Sequence, residues 1–330
     1  MEISPSVYEH AARFVQRSPW DVSRDGELLY QAHAGAYRYY RHTPIMPGID
    51  IYNLEPEAYG AVVERPVGEN IPAIGKHIFP STRDLLRLPP LDPARDGRIP
   101  MLIAASRRLH ETFPEAVVRT PISGPFSIAS NLVGFETLLN EVVLEPDLAA
   151  DALMHLVEGQ VRFAEAVKEA GVAVAFFESA ACPPMLSPAL FRRVELPALK
   201  EILRRIAGVM GHPIPCIIGG NTEPIVDIML ETGTGYLVCP FETNQRKFLE
   251  KVWNRTEVRI RVNGDLRIIS GGTWDQITAE ASRLLELVQG RPNVCLGTGA
   301  LPYETPPENV RRLMAYIAEK GLRYDPMSTT

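Results

Sequence analysis

The chain has 330 residues, of which 45% are hydrophobic, so it can bury a large core in one big α/β domain or in two ordinary ones. Its 34 Lys and Arg residues against 40 Asp and Glu residues give a net charge of −6 with no basic block, so we do not expect a dedicated nucleic-acid-binding surface. No signal-peptide pattern and no apolar run of about 18 residues occurs, which predicts a cytoplasmic protein without a membrane span.

An aromatic, mainly helical extension is predicted over residues 1–44. The first candidate strand, PIMPGIDIY, follows at residues 44–52, and the later stretch LPPLDPARDGRIP is typical of a loop. Beyond residue 115, helical stretches alternate with the apolar runs AVVRTPIS, VAVAFFES, IPCIIGG, YLVCP, VRIRVNGD and NVCLGTG. Such alternation indicates a parallel sheet, and seven candidate strands favour a single (β/α)₈ TIM barrel over residues 1–330.

Polar residues follow the apolar runs, at the strand ends where active sites gather in a parallel barrel. They are Asp50, Ser123, Glu178, Asn221, Glu242, Asn263, Asp265 and Thr298. Polar residues at strand ends also form ordinary helix caps and turns, and this alone accounts for Ser123 and Asn221. Glu178 is the strongest candidate because it continues the apolar run GVAVAFF, where desolvation would raise the pKa of a carboxyl toward useful acid–base values.

Longer blocks of the sequence carry a family resemblance. They include GPFSIASNLVGFETLL, GGNTEPIVDIMLETG, VNGDL and GTGALPYETPPENVRRLM. Over about residues 45–320 these blocks resemble the uroporphyrinogen decarboxylase superfamily, and within it the corrinoid-dependent methyltransferases typified by methylcobamide:coenzyme M methyltransferase. The resemblance implies a (β/α)₈ barrel that either decarboxylates a tetrapyrrole or transfers a methyl group to or from a cobalt corrin.

The N-terminal segment departs from the decarboxylase pattern. The family pattern for that activity has an Arg-Gln-Ala-Gly-Arg element, whose arginines hold the carboxylates of the substrate, whereas this chain has YQAHAGAYRYYRH. Arg38 and Arg41 are the arginines of this stretch, and a polycarboxylate tetrapyrrole needs the missing pair. A decarboxylase-like lyase is therefore the alternative prediction, and it requires a basic pocket near Arg38 and Arg41.

The strand around residue 217 departs from the zinc-dependent thiol methyltransferases of the family. In those enzymes it ends in His-x-Cys-Gly-Asn, and the last strand supplies a further Cys. Aligned on the Gly-Asn pair, the ligand positions are Ile217 and Gly219 here, and the third is Thr298. Cys216 and Cys295 each lie an odd number of residues from these positions, which predicts that they face the opposite side of their strands. The resemblance therefore implies that the zinc site has been lost.

A zinc site improvised from Cys182 or Cys239 with Glu178 or His33 remains the alternative, although no spacing here suggests three converging ligands. Without zinc, an acceptor thiol is poorly activated at neutral pH. Methyl transfer from a methylated, for example methoxylated, substrate needs no thiolate. We therefore expect transfer in that direction, to a cobalamin or corrinoid protein.

Loss of the methyl group leaves an oxygen or nitrogen that an acid can protonate. The predicted catalytic carboxyls are Glu178, Asp50 and Asp265. The predicted substrate-binding residues are His33, Ser123, Asn221, Glu242, Asn263 and Tyr303. For His33, which lies in an aromatic stretch, packing within the extension is the structural alternative.

Three hypotheses follow from these patterns. The first is a zinc-independent methyltransferase that works with a separate corrinoid protein and a small methylated substrate. The second is the decarboxylase-like lyase, which acts on a carboxylated substrate without cobalamin. The third is a barrel that binds a small ligand without catalysis. The patterns make no prediction of oligomeric state.

Overall fold

A computed structural model describes residues 1–321 of the chain. Its strands are β1 Ile3–Ser6, β2 Val62–Glu64, β3 Ala73–Lys76, β4 Arg119–Ser123, β5 Ala173–Phe177, β6 Cys216–Ile217, β7 Tyr236–Cys239, β8 Arg259–Asn263 and β9 Val294–Ala300. Its α-helices are α1 Pro19–Arg24, α2 Gly26–Tyr40, α3 Leu54–Ala58, α4 Ile99–Thr112, α5 Pro125–Val133, α6 Phe135–Leu144, α7 Pro146–Glu169, α8 Pro188–Leu190, α9 Leu196–Met210, α10 Val226–Leu230, α11 Gln245–Val252, α12 Leu266–Gly271, α13 Trp274–Leu287 and α14 Pro307–Gly321.

Eight parallel segments follow one another around a barrel. Strands β4, β5 and β6 pair in parallel, a bridge between Pro215 and Tyr236 continues to β7, and β8, β9 and β1 follow. The eighth segment contributes a single parallel bridge, from Ile45 to Val118 beside β4. The helices between the strands pack their apolar faces against the outside of this sheet. The predicted (β/α)₈ TIM-barrel fold is confirmed.

The N-terminal extension contains a strand as well as helices. Helices α1 and α2 and a 3₁₀ segment, Glu9–Val15, make it mainly helical, as predicted. Before them, β1 pairs in parallel with β9, so a part of the extension is itself a barrel strand. The sequence ISPS does not look like a strand, because serines take the places where an apolar run would show branched side chains. Both serines are buried in the barrel.

The first strand predicted from the sequence, at residues 44–52, is much shorter in the structure. Only Ile45 makes a bridge, and the chain then enters a 3₁₀ segment at Ile51–Asn53. Pro44 and Pro47 have no N–H group to donate to a ladder, which explains why pairing stops there. Within residues 1–321, no backbone ladder joins this segment to β1; instead the Tyr8 hydroxyl lies 3.9 Å from the Met46 sulfur across the seam.

A short antiparallel hairpin, β2 and β3, lies outside the barrel sheet. The sequence does not predict this hairpin, because its exposed strands lack an alternating apolar pattern. Ile71 and Pro72, just before β3, reach the mouth of the barrel cavity. The hairpin therefore forms part of the wall of the candidate site.

Within the described residues, no helix is both long enough and apolar enough to cross a membrane.

Candidate active site

A cavity of about 490 Å³ opens at the carboxyl ends of the barrel strands, where the architecture places active sites. Most of its wall is apolar, and the main contributors are Ile49, Phe177, Ile217, Val238, Phe241 and Leu266. A volume in this range suits a small organic molecule. Of the nine predicted site residues, Asp50, Glu242 and Asn263 line the cavity, and the other six do not.

Asp50 is a fixed carboxylate in the cavity wall. Both of its oxygens accept hydrogen bonds from the Arg98 guanidinium, at 2.8 and 2.7 Å, and Asn53 donates a further bond of 3.0 Å. Arg98 also binds Glu57 and is almost fully buried. Because a bidentate ion pair holds Asp50, its carboxylate is better suited to orient a bound group than to donate a proton.

Glu178 does not reach the cavity, although the sequence made it the strongest candidate. It is fully buried, and its carboxyl accepts hydrogen bonds from the backbone of Phe126 at 3.0 Å and of Ser127 at 2.9 Å, and from the Ser127 hydroxyl at 2.5 Å. These donors form the first turn of α5, outside the barrel sheet. Phe177, one residue earlier, faces the cavity, and side chains alternate along a strand, so Glu178 must face the helices.

Glu195 lies beside Glu178 in a π-helical turn, Phe191–Glu195, and the sequence analysis missed it. It is fully buried, and its two carboxyl oxygens have no hydrogen-bond partner within residues 1–321. Burial raises the pKa of both carboxyls, and the charge of Glu178 raises the pKa of Glu195 further. The pair therefore holds at least one proton near neutral pH, but on the helix side of the barrel wall.

Asp265 also lies outside the cavity lining. Its carboxylate caps α12 by accepting from the Arg267 N–H at 2.9 Å, and it pairs with the Arg267 guanidinium at 3.0 Å. The hydrogen bond from the Arg267 side chain holds the pKa of Asp265 below its usual range. An acid role for Asp265 is therefore disfavoured, because it is a carboxylate at neutral pH.

The remaining predicted residues outside the cavity have structural contacts. Nε2 of His33 accepts from the Gly48 N–H at 3.1 Å, and burial lowers the pKa of this imidazole to about 4, so it is neutral. Ser123 donates to the Ile51 carbonyl at 3.0 Å, and the exposed Asn221 accepts from Thr243 at 3.0 Å. Tyr303 is half-buried. None of these four candidates lines the cavity.

Glu9 is a cavity carboxyl that the sequence analysis missed. It follows β1 at the start of a 3₁₀ segment, and it is 7% exposed. One of its oxygens, Oε2, is buried without a hydrogen-bond partner among the described residues. Burial raises the pKa of Glu9 to about 7, with a smaller contribution from the charge of Glu304. Glu9 is thus a carboxyl that keeps a proton near neutral pH and lines the cavity.

Arg261 is a second residue that was missed. It lies in the middle of β8 and lines the cavity together with Asn263, whereas Ile260 and Val262 face the outer core. Its Nε donates to Asn263 Oδ1 at 2.9 Å, and Nη2 donates to the Ser6 hydroxyl. The sequence RIRVN suggests polar side chains facing water and apolar ones facing a core. In this barrel the apolar side faces the helices, and the arginine points inward.

The arginines named for the lyase alternative lie elsewhere. Arg38 is exposed and stacks over the Phe113 ring, 5.3 Å from its centre. Arg41 is also exposed and lies 3.6 Å from Glu115. Neither residue lines the cavity, so the basic pocket that this alternative requires near them is not found in the described part of the chain.

The positions aligned with the zinc ligands of the family do face the cavity, but they are not ligands here. Ile217 and Gly219 line the cavity, and Thr298, near the end of β9, lines it as well. Cys216 is buried on the helix side, where the charges of Glu178 and Glu195 act on it. Across residues 1–321, no group of three or more His, Cys, Asp or Glu side chains converges as metal ligands do.

Cys295 does not behave as the strand-parity argument expected. Its sulfur lies 4.0 Å from the Tyr236 hydroxyl and close to Arg259, in the interior of the barrel below the cavity. Gly297, two residues later, faces the same interior. The inward-facing residues of β9 are therefore odd-numbered up to Gly297, and Thr298 lies where the register with β1 shifts, with its hydroxyl accepting from the Ser6 N–H at 3.2 Å.

The fold and the site together define a (β/α)₈ barrel with a small-molecule cavity at the carboxyl ends of its strands. Over residues 5–320 the sequence matches the family described as uroporphyrinogen decarboxylase (URO-D). Because the match covers most of the chain, this protein belongs to that family. The resemblance noted from the sequence blocks is confirmed.

Similar proteins include methyltransferases. The chain is 25% identical over 270 residues to the methylcobamide:CoM methyltransferase MtaA of Methanosarcina barkeri, with 78% of this chain and 75% of that protein covered. The protein of the same name from Methanosarcina barkeri strain Fusaro (DSM 804) matches equally well. A solved structure of a methyltransferase from Methanosarcina mazei superposes with a TM-score of 0.82 at 22% identity, covering 96% of this chain and 92% of that one.

Proposed function

We propose that this protein is a corrinoid-dependent methyltransferase that takes a methyl group from a small methylated substrate. Family membership and the two curated relatives named as methylcobamide:CoM methyltransferases support the reaction class. The observation that carries the proposal is a cavity at the catalytic end of the barrel that contains a carboxyl poised to hold a proton. A lyase and a non-catalytic binding barrel are the alternatives, and the experiment with reduced cobalamin distinguishes them from a methyltransferase.

The cavity fits the substrate and not the whole cofactor. A volume of about 490 Å³ holds a small molecule, whereas a complete cobalamin is much larger. The corrinoid therefore binds at the mouth of the cavity, either as the cofactor of a partner protein or as free cobalamin. When it is bound, its cobalt supplies the methyl-accepting centre. The residues of this chain bind the substrate below the mouth and keep water from most of it.

The acid is assigned to Glu9 instead of Glu178, Asp50 or Asp265. Glu178 lies behind the wall, Arg98 binds both oxygens of Asp50, and the hydrogen bond from Arg267 lowers the pKa of Asp265. Glu9 lines the cavity, and burial keeps its pKa near 7, so it can donate a proton to the oxygen or nitrogen from which the methyl group leaves. Asp50, fixed by Arg98, orients the substrate from the wall of the same cavity.

We propose that the reaction is independent of zinc. The support is the donor set: Ile217 and Gly219 occupy the cavity positions where zinc-dependent members of the family carry ligands. We expect metal analysis of the purified protein by mass spectrometry to find much less than one zinc per chain. Stoichiometric zinc would contradict this part of the proposal and would restore thiol methylation as the leading reaction.

The reaction itself is tested by adding reduced cobalamin and a panel of methoxylated and N-methylated compounds to the protein. Methyl transfer changes the corrin absorption spectrum from that of cob(I)alamin to that of methylcobalamin. We expect at least one compound to give this change only with the protein present. Release of carbon dioxide from a carboxylated compound without cobalamin would instead indicate a lyase, and binding of a compound without either reaction would indicate a binding barrel.

A further inference from the structure

Arg261 is a buried cation without a charged partner. It is 4% exposed, and its hydrogen bonds go to two neutral groups, Asn263 Oδ1 and the Ser6 hydroxyl. Among residues 1–321, no carboxylate lies within ion-pair distance of it, in contrast to Arg98, which binds both Asp50 and Glu57. Proteins rarely leave a buried charge uncompensated, because removing it from water is costly.

The side chains around Arg261 do not supply the missing negative charge. The ionisable groups whose charges act on Arg261 include Tyr236 on β7, Cys295 on β9 and Tyr8, two residues after β1. Burial raises the pKa of both tyrosines well above the usual range, so their hydroxyls are neutral at any physiological pH. Tyr8 contributes a dipole to the cavity lining, and neither tyrosine supplies an anion.

The strand next to β8 makes room for the guanidinium. Gly297 lies on β9 opposite Asn263, two residues beyond the partner of Arg261, and a Cβ atom at this position would collide with Arg261 Nε and with Asn263 Oδ1. The missing side chain lets Arg261 extend across the neighbouring strand and reach Ser6 on β1. The guanidinium is thus held by three strands at the floor of the cavity, and it is open to whatever the cavity contains.

We infer that Arg261 binds an anionic group of the substrate, so the substrate is a small methylated carboxylic acid. This inference adds an anionic group to the substrate of the proposed function. It rests on the proposed function for the methyl group of that substrate. A carboxylate fits better than a dianion such as phosphate, because a single guanidinium in a mostly apolar cavity balances a single negative charge.

Equilibrium binding without cobalamin tests the inference. Isothermal titration calorimetry compares 4-methoxybenzoate, 3-methoxybenzoate, methoxyacetate and benzoate, each with its uncharged amide. We expect at least one acid to bind ten-fold or more tightly than its amide. We expect Arg261→Gln to remove that preference and Arg261→Lys to keep part of it.

Arg259→Gln is the matched control. It removes an arginine from the same strand, two residues earlier, whose guanidinium pairs with Glu2 and does not line the cavity. It should leave the preference for acids unchanged. Circular dichroism spectra of all variants confirm that they are folded before binding is compared.

The inference is overturned if no acid binds more tightly than its amide, or if Arg261→Gln retains the preference. The proposed function fails separately: acids that bind through Arg261 but never methylate cobalamin would contradict the methyltransferase and leave the anion site standing. Methylation of cobalamin by neutral donors, at equal rates in the unsubstituted protein and in Arg261→Gln, would contradict only the anion site.

Discussion

Two arginines buried in this barrel differ in what compensates their charge. Arg98 forms ion pairs with Asp50 and Glu57, so its removal leaves the buried Asp50 without a cationic partner and leaves Glu57 with Arg24 alone. Arg261 has neutral partners only, so its removal takes away a charge that the empty barrel does not compensate. A buried arginine therefore stabilises the fold at residue 98 and lowers its stability at residue 261.

We expect Arg98→Met to lower the free energy of unfolding by about 3–5 kcal/mol, the range found when one partner of a buried pair is removed. The free energy of unfolding of Arg261→Met should lie within about 1 kcal/mol of that of the unsubstituted protein, or be higher, because a residue kept for binding often lowers stability. Urea denaturation followed by circular dichroism measures both. An equal loss in the two variants would show that Arg261 has a structural partner after all.

Glu9 is expected to control the alkaline side of the pH profile. Its pKa is raised to about 7, and only the protonated acid can donate, so methyl transfer should fall as the pH rises through 7. Glu9→Gln should slow transfer by about 10²- to 10⁴-fold and remove this pH dependence, while the dissociation constant of the substrate changes little.

Glu178→Gln is the informative comparison for Glu9, because burial also raises the pKa of Glu178 but its carboxyl lies outside the cavity. Stopped-flow spectra of the corrin, recorded between pH 5 and pH 9, give the rates. The alkaline fall should persist in Glu178→Gln. Its loss there, together with its persistence in Glu9→Gln, would return the acid role to Glu178.

At the scale of elements, α5 is attached to the barrel by the strand beside it. The carboxyl of Glu178, just after β5, accepts three hydrogen bonds from Phe126 and Ser127 in the first turn of α5. A negative group is favourable there, because the N–H groups of a first turn have no partner within the helix. Gly124 allows this contact, since a Cβ atom at residue 124 would collide with the Glu178 carboxyl.

Glu178→Ala should therefore lower the free energy of unfolding by about 3 kcal/mol, because it leaves buried donors of α5 without an acceptor and opens a small void. Ser127→Ala, which removes one of the three bonds, should cost about 1 kcal/mol. Thermal and urea unfolding measure both. Binding of the substrate should survive in each folded variant; a variant of Glu178 that is stable but does not bind would contradict the structural role.

For the whole molecule, buried carboxyls set the dependence of stability on pH. Burial raises the pKa of Glu9 and of Glu55 to about 7, and it also raises the pKa of Glu178 and Glu195. Between the unfolded pKa of 4.5 and these folded values, the folded state binds more protons than the unfolded state. The stability that these protons provide is complete below pH 4.5 and is lost as the pH rises through 7.

We therefore expect the free energy of unfolding to fall between about pH 6.5 and pH 8, by up to about 1.4 kcal/mol per pH unit for each such carboxyl; below pH 6.5 the lowered pKa values of the buried His10, His33 and His42 act in the opposite direction. Urea denaturation at a series of pH values measures the slope. Glu195→Gln should make the slope shallower, because it removes one of the carboxyls that must ionise. A stability that rises across this range would contradict the buried protonated state.

The sequence predicted the barrel from its alternation of strands and helices after residue 115, and it missed the segments without that signal. Strand β1 consists of ISPS, and the hairpin of β2 and β3 is mostly exposed. Both contribute to the cavity, through Ser6 and through Ile71 and Pro72. Short pieces that owe their place to long-range pairing leave little local pattern to read.

For the site, the choice of polar residues at strand ends correctly identified Asp50, Glu242 and Asn263 as cavity residues. It was wrong where the direction of a side chain decides whether the residue faces the cavity. Glu178 continues β5, yet it is one residue beyond Phe177, which faces inward. Alternation placed Cys216 correctly on the helix side, and the same reasoning applied to Glu178 would have excluded it from the cavity. Arg261 was missed because an arginine within a strand usually indicates a solvent-facing side.

The pairing of β1 with β9 constrains the order in which the strands of this barrel can assemble. Ile3 lies opposite Leu296, so β1 finds its partner only when all the residues between them are available. A contact of such separation contributes to slow folding, because a long loop must close before the contact forms. During synthesis, the segment that carries Ser6, Tyr8 and Glu9 leaves the ribosome long before β9 does, and it is fixed late. The acid and part of the anion-binding floor are therefore completed together with the last strand of the barrel.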